Sequence, residues 1–147
     1  MKFFITTALG LILFGFIAGA QISPSLKSNP STFNDEVLLQ MYQAHDDEYF
    51  GDQLPRNISV RWVNIPKDKD GHFIMGQTLT LAGENNFEIQ IDTKTNVTTS
   101  TAFATLLHEE CHVYKHVAKI TEADDHGPAF QACMFNLAAE GAFKGVW

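Results

Sequence analysis

The most informative segment for structure is residues 98–118, TTSTAFATLLHEECHVYKHVA. Its first residues are hydroxyl side chains of the kind that cap helices, and apolar residues then recur at helical spacing to about Ala118. The stretch just before His108 is mostly apolar. The pattern therefore predicts a buried helix.

Two histidines on this helix are spaced for metal binding. His108 and His112 lie four residues apart, so one helical turn places both imidazoles on the same face, about 6 Å apart along the axis. Glu109 completes the pattern H-E-x-x-H. In this arrangement the glutamate does not bind the metal but holds a zinc-bound water and takes its proton. The motif predicts a zinc site with Glu109 as general base.

A catalytic zinc site needs a third protein ligand. His116 lies about 12 Å along the axis from His108 and is rotated away, so a straight helix cannot bring all three histidines to one ion. His126 follows a polar link and directly precedes the last predicted helix, which could return it to the site. The weaker candidates are carboxylates of the link: Glu122, Asp124 and Asp125.

The rest of the chain predicts one helix before a small sheet and one helix after it. A first helix is expected from about Asp35 to Tyr49, and the acids beside His45 are interpreted as its solvated face. Alternating apolar residues predict three strands, joined by short turns as a mainly antiparallel meander. These strands are residues 58–62, 72–81 with a bulge at Gly76, and 87–91. A last helix from Gly127 to about Ala142 completes an α+β fold in the order α-β-β-β-α-α.

Composition and charge limit the classes of function. The chain has 147 residues, 45% hydrophobic and 18% charged, which suits one globular domain. Its formal net charge is −7, and no lysine or arginine cluster stands out. Because proteins that grip phosphate backbones need a basic patch, nucleic acid is not expected as the main partner.

The first twenty residues have the pattern of a signal peptide. Lys2 precedes an apolar run that ends in Ala18-Gly19-Ala20, a small-residue cleavage pattern. We expect segments 1–20 as a signal peptide, 21–33 as a flexible leader and 34–147 as the domain. The protein is then exported, secreted or periplasmic, with no stable membrane span after cleavage. The alternative is an uncleaved N-terminal membrane anchor.

Only two cysteines are present, Cys111 and Cys133, both in apolar helical stretches. Such cysteines are often buried, reduced thiols that fill the core, and we interpret both in this way. Cys111 is not expected to bind zinc, because it points to a different side of the helix from its neighbour His112. The glycosylation patterns at Asn57 and Asn96 are interpreted as chance matches.

Several motifs together resemble the SprT-like metallopeptidase domains, over nearly all of the chain after about residue 35. They are, in order, EYFGDQLP at 48–55, a tryptophan-containing strand, GQT at 76–78, LLHEECH at 106–112 and HGPAF at 126–130. The resemblance implies a zincin-like architecture with two metal-bearing helices. It also implies Zn²⁺ bound by His108, His112 and His126, with Glu109 as general base.

The sequence departs from that family in three respects. It has no C-terminal Cys-x-x-Cys ribbon, it carries the signal pattern, and it is acidic, whereas members that process DNA–protein crosslinks depend on basic regions. The function we expect is therefore a zinc metallopeptidase acting on a protein or peptide substrate. The alternatives are a non-catalytic zinc-binding interaction domain, a hydrolase of non-peptide amides and a DNA-associated SprT-type protease.

Two supporting roles are expected but not assigned to single residues. An oxyanion stabiliser is needed on physical grounds. The candidates are Tyr42, Tyr49, Tyr114 and His72. Asp124 or Asp125 could orient a histidine ligand.

Overall fold

The computed structural model describes residues 35–83 and 85–146. The predicted signal peptide and leader lie outside these residues. The elements, in chain order, are α1 Asp35–His45, β1 Ile58–Val63, β2 Gly76–Thr80, β3 Phe87–Asp92, α2 Thr99–Val117 and α3 Pro128–Glu140. The α+β class and the order α-β-β-β-α-α are confirmed.

The first helix widens at its end. α1 continues as a π-helical turn, Asp46–Phe50, and stops at Gly51, whose φ of +61° suits a residue without a Cβ. A π turn holds more residues than an α turn and changes which side chains face the core. His45 and Asp46 are 3% and 0% exposed. The interpretation of the acids beside His45 as a solvated face is therefore wrong for Asp46, although the next two acids are exposed.

The buried His45 connects α1 to α2. Its Nδ1 lies 3.0 Å from both carboxyl oxygens of Glu110. Burial raises the pKa of Glu110 well above its usual value, and burial lowers the pKa of His45 to about 4. Both shifts favour the uncharged forms, so the contact joins the two helices beneath the metal-binding motif as a neutral hydrogen-bonded pair.

The sheet is mixed, and its strand order is β1-β3-β2. β3 pairs in parallel with β1 and antiparallel with β2. The predicted meander is therefore wrong, because β3 inserts between the two strands that precede it. β3 is the most buried strand, with Phe87, Ile89 and Ile91 all buried, and its central position gives it a neighbouring strand on both edges. Alternation along a strand indicates which face is buried but carries no information on its neighbours.

A buried polar network fixes the start of α2 against the sheet. Asn96, which is 0% exposed, donates from Nδ2 to the carbonyls of Met75 and Asp92 and accepts from the Thr105 hydroxyl at 2.7 Å. α2 then begins with a capping box between Thr98 and Thr101. Because the Asn96 amide is buried and bonded, this position does not offer a glycosylation site in the folded protein.

The two cysteines form a disulfide. Cys111 on α2 and Cys133 on α3 are bonded, with their Cα atoms 5.9 Å apart. The interpretation of these residues as reduced thiols is therefore wrong. Each lies on the buried face of its helix, and the packing of α2 against α3 brings the two faces together, which a pattern within either helix does not reveal.

None of the helices in the described part of the chain combines the length and the apolar character needed to cross a bilayer.

Candidate metal centre

Three histidines converge at one point. His108 and His112 lie on α2, and His126 lies just before α3. Their Nε2 atoms are close together: His108 is 3.3 Å from His112 and 3.1 Å from His126. Two nitrogens bound to one tetrahedral zinc at about 2.0–2.1 Å are separated by about 3.3 Å. The three imidazoles therefore have the spacing of a tetrahedral metal site.

One aromatic side chain supports all three histidines. The Phe130 ring lies 4.6–4.7 Å from each of the three imidazole rings and is stacked on that of His112. Phe130 is itself buried. Because its ring limits the rotation of all three imidazoles, the site is held in shape by packing as well as by the backbone.

Burial keeps the imidazoles of His108 and His112 uncharged. Burial lowers the pKa of His108 to about 4, with a smaller contribution from His126. Burial likewise lowers the pKa of His112 to about 4. Imidazole must be neutral to bind a metal, so both ring systems are in the ligand form near pH 7.

A buried lysine organises the loop that carries His126. Lys115 on α2 is 7% exposed, and its Nζ donates to the carbonyl of Asp125 at 2.7 Å and pairs with Glu122 at 2.9 Å. Glu122 in turn accepts from the N–H of Ala129 at 2.7 Å, at the start of α3. Lys115 therefore joins α2 to α3 through the loop that carries His126.

The acids of this loop that were alternative third ligands make other contacts. Asp124 accepts from the backbone N–H of His126 at 2.9 Å, while Glu122 is paired with Lys115. Asp125 contributes its backbone carbonyl. His116 is also outside the converging group, since its ring packs against Phe87 at 5.7 Å.

Glu109 is positioned by β2. The Thr78 hydroxyl donates to Glu109 Oε2 at 2.9 Å. Burial raises the pKa of Glu109 to about 7, although the hydrogen bond from Thr78 acts in the opposite direction. A carboxylate with a pKa near neutrality can both accept and release a proton under ordinary conditions.

Gly76 makes room for this glutamate. A Cβ at Gly76 would lie 2.6 Å from Thr105 Cγ2 and 2.9 Å from Glu109 Oε1. Gly76 pairs in regular register with Ile91, so the predicted bulge is wrong, and the glycine serves a close approach between strand and helix. Sequence reasoning assigned no role to Gly76 or Thr78 at the site. The available signal was the pair Gly76 and Thr78, which are two residues apart and therefore lie on the same face of the predicted strand.

The four candidates for oxyanion stabiliser make contacts elsewhere. The Tyr42 hydroxyl is bonded to the carbonyl of Pro55, and His72 pairs with Asp68 in an exposed turn. Tyr49 and Tyr114 line a separate cavity. The structure therefore does not bring any of them into the described contacts of the three histidines.

Two further groups of side chains are close enough to hold a cation by distance alone: Asp68, Asp70 and His72, and Asp46, Asp47 and Asp52. In the first group Asp68 is already bonded to backbone N–H groups and to His72. In the second, Arg56 pairs with all three aspartates. These existing partners account for both groups without an ion.

Comparison with known proteins assigns the family. A model of the SprT-like family matches residues 38–144, well over half of the chain, from the middle of α1 to the segment after α3. The matched range contains the three histidines and Glu109. No solved structure matches the chain. The chain belongs to the SprT-like family, a zincin-like group related to metallopeptidases.

Proposed function

We propose that this protein is a zinc-dependent metallopeptidase that hydrolyses peptide bonds of a protein substrate. In this proposal His108, His112 and His126 hold the zinc and Glu109 is the general base. The observation that carries it is the convergence of the three histidine Nε2 atoms beside Glu109, a buried residue of α2. The family assignment supports the same class of reaction.

The donor set favours zinc. Three imidazole ligands leave a fourth tetrahedral position for water or substrate, which is the usual arrangement of catalytic zinc. When bound, zinc lowers the pKa of a water molecule toward neutrality and polarises the substrate carbonyl.

The residues of the chain perform the proton transfers and the positioning. Thr78 occupies Oε2 of Glu109, which leaves Oε1 to accept the proton of the attacking water and later to donate it to the leaving amine. Phe130 holds the imidazoles, and Lys115 holds the loop of His126. Each of these contacts exists before substrate binds, so little reorganisation is required during the reaction.

Metal content tests the site. The purified protein should contain about one zinc per chain, and His126→Ala should bind it far more weakly. His116→Ala is the matched control, because His116 is exposed on the same helix and outside the converging group. A folded wild-type protein that binds no zinc in equilibrium dialysis would refute the site.

Hydrolysis tests the reaction. Glu109→Gln should keep the zinc and lose about 10²- to 10⁴-fold in kcat, the usual contribution of a general base. The assay is mass spectrometry of a digested protein library, with each variant checked for zinc content. A zinc-loaded wild type that cleaves nothing would instead favour a non-catalytic zinc-binding interaction domain.

We also propose that the protein is exported and acts on proteins or peptides rather than on nucleic acid. The signal pattern in residues 1–20 and the Cys111–Cys133 disulfide, which suits an oxidising compartment, support export. The net charge of −7 counts against a DNA-associated role. Gln21 should be the first residue of the mature chain by N-terminal sequencing, and an intact Met1 would indicate a membrane anchor instead. Salt-sensitive binding to DNA would restore the nucleic-acid alternative.

A further inference from the structure

A cavity of about 450 Å³ lies beside the proposed catalytic residues. His108 and Glu109 form part of its lining, so any group bound there lies next to the reacting bond. Its volume falls within the range of roughly 300–1,000 Å³ that is typical of ligand pockets. The apolar part of its wall consists of Met75, Ala104, Met134, Phe143 and Val146.

The wall is assembled from four separate parts of the chain. Met75 directly precedes β2, Ala104 lies on α2, and Met134 lies on α3. The remaining part is the segment after α3, where Gly141, with a φ of +86°, ends the helix. This segment brings Phe143, which is 8% exposed, to the cavity together with Val146. The cavity is therefore a product of the whole fold rather than of the metal-binding motif.

The chemistry of this cavity differs from that of its smaller neighbour. A second cavity of about 190 Å³ contains His112 in its lining, and its other walls include Lys115, Glu122 and Asp125. Among the described residues that line the larger cavity, Glu109 is the only one with a carboxylate or ammonium group. Of the two cavities near the histidines, the larger one thus has mainly apolar walls and the smaller one has charged walls.

We propose that the larger cavity binds an apolar side chain of the substrate that is adjacent to the cleaved peptide bond. This inference rests on the proposed peptidase function. A leucine, methionine or phenylalanine side chain would be removed from water against apolar walls, which is favourable. An aspartate or glutamate side chain would be desolvated against these apolar walls beside Glu109, with no lysine or arginine in the described lining to pair with it, which is unfavourable.

The cavity is continuous with the proposed catalytic site, since His108 and Glu109 line it. A side chain in the cavity belongs to a chain whose backbone passes His108 and Glu109, as a cleavable peptide must. The two methionines in the wall are flexible, so the cavity should accept apolar side chains of different shapes. The selection is therefore expected to be for apolar character and size rather than for one amino acid.

The first experiment measures cleavage of a defined peptide series. The peptides have the sequence Gly-Ser-Gly-Ser-X-Ser-Gly-Ser-Gly with a quenched fluorophore pair, where X is aspartate, alanine, leucine, phenylalanine or tryptophan. The zinc-loaded protein should cleave one bond adjacent to X. The value of kcat/KM for leucine or phenylalanine should exceed that for alanine by at least about tenfold, with aspartate lowest. A value of kcat/KM that does not depend on X would overturn the proposal.

Variants of the wall test the location of the preference. Ala104→Phe fills the cavity and should remove the advantage of leucine and phenylalanine over alanine in kcat/KM. Met134→Ala enlarges the cavity and should shift the preference from leucine toward tryptophan, which provides a second test if the first variant does not fold. Phe135→Ala is the control, because Phe135 follows Met134 on α3 but is 74% exposed. It should leave the preference unchanged.

Peptide binding separates this inference from the proposed function. The Kd of each labelled peptide is measured by fluorescence anisotropy with the zinc-loaded wild type and with Glu109→Gln. If the zinc-loaded wild type binds the phenylalanine peptide more tightly than the aspartate peptide but hydrolyses neither, the peptidase function is refuted and the cavity assignment stands. Equal Kd values would refute the cavity assignment. An unchanged peptide preference in Ala104→Phe, together with a changed oligomeric state, would assign the cavity to a second copy of the chain and also overturn it.

Discussion

Replacement of Lys115 by methionine should weaken zinc binding, although Lys115 is not a ligand. Methionine retains much of the length and the apolar stem but removes the ammonium group. That group donates to the carbonyl of Asp125 at 2.7 Å and pairs with Glu122 at 2.9 Å. Asp125 directly precedes His126, so the change releases the backbone that positions the third histidine.

The size of the effect follows from these two contacts. A hydrogen bond to a charged group contributes about 1.5–3 kcal/mol in a protein. Loss of a residue that orients a metal ligand usually lowers metal affinity about 10- to 100-fold, which corresponds to about 1.4–2.8 kcal/mol. We therefore expect the zinc Kd of Lys115→Met to rise by 10- to 100-fold. The corresponding loss of binding free energy is about equal to the contribution of one of the two contacts.

The assay is competition for zinc against a chromophoric chelator at fixed pH, with wild type, Lys115→Met and Lys94→Met compared. Lys94 is exposed near the end of β3, and its variant should behave as the wild type, which controls for the change in net charge. An unchanged zinc Kd in folded Lys115→Met would show that the loop holds His126 without the lysine, and the reasoning would be wrong.

Other changes should have separate signatures. Thr78→Val should retain zinc but lower kcat about tenfold, since it removes the hydroxyl that orients Glu109, and Thr78→Ser should be close to wild type. A kcat of Thr78→Val equal to that of the wild type would contradict this role. Gly76→Ala should lower both kcat and the melting temperature, because its Cβ would lie 2.9 Å from Glu109 Oε1, and a normal melting temperature by scanning calorimetry would refute the steric argument. Metal-free protein should lose stability between about pH 6.5 and pH 4, because the pKa values of His45, His108 and His112 are lowered to about 4 and the unfolded state therefore binds protons at these three residues first; the raised pKa values of Glu109 and Glu110 offset only two of these protons. A melting temperature that rises with acidity in the presence of EDTA would contradict this sign.

The helices were predictable because their signal is local. The predicted helix at residues 98–118 corresponds to α2 at Thr99–Val117, and the predicted helix from Gly127 corresponds to α3 at Pro128–Glu140. Spacing along α2 placed His108 and His112 on one face. The return of His126 was open from the residues alone, because it depends on how α3 packs, and motif resemblance identified it.

The errors concern contacts between residues distant in sequence. The strand order depends on which strand takes the central position and pairs along both edges. The pairing of Cys111 with Cys133 depends on how α2 packs against α3. The burial of Asp46 depends on the single π-helical turn and on a hydrogen bond that its Oδ1 accepts from the N–H of Leu54 at 2.9 Å. Periodicity within one element contains none of this information.

The Cys111–Cys133 disulfide has a consequence for metal exchange. It closes a covalent ring with a sequence separation of 22, and this ring contains His112, His126 and Phe130. In the chain-entropy description a ring of this size restricts the unfolded chain by about 3 kcal/mol. An oxidised chain that loses its metal therefore keeps two of its three imidazoles tethered within a short loop. Such a tether would let the empty site bind metal again without the folding step that an untethered chain would need.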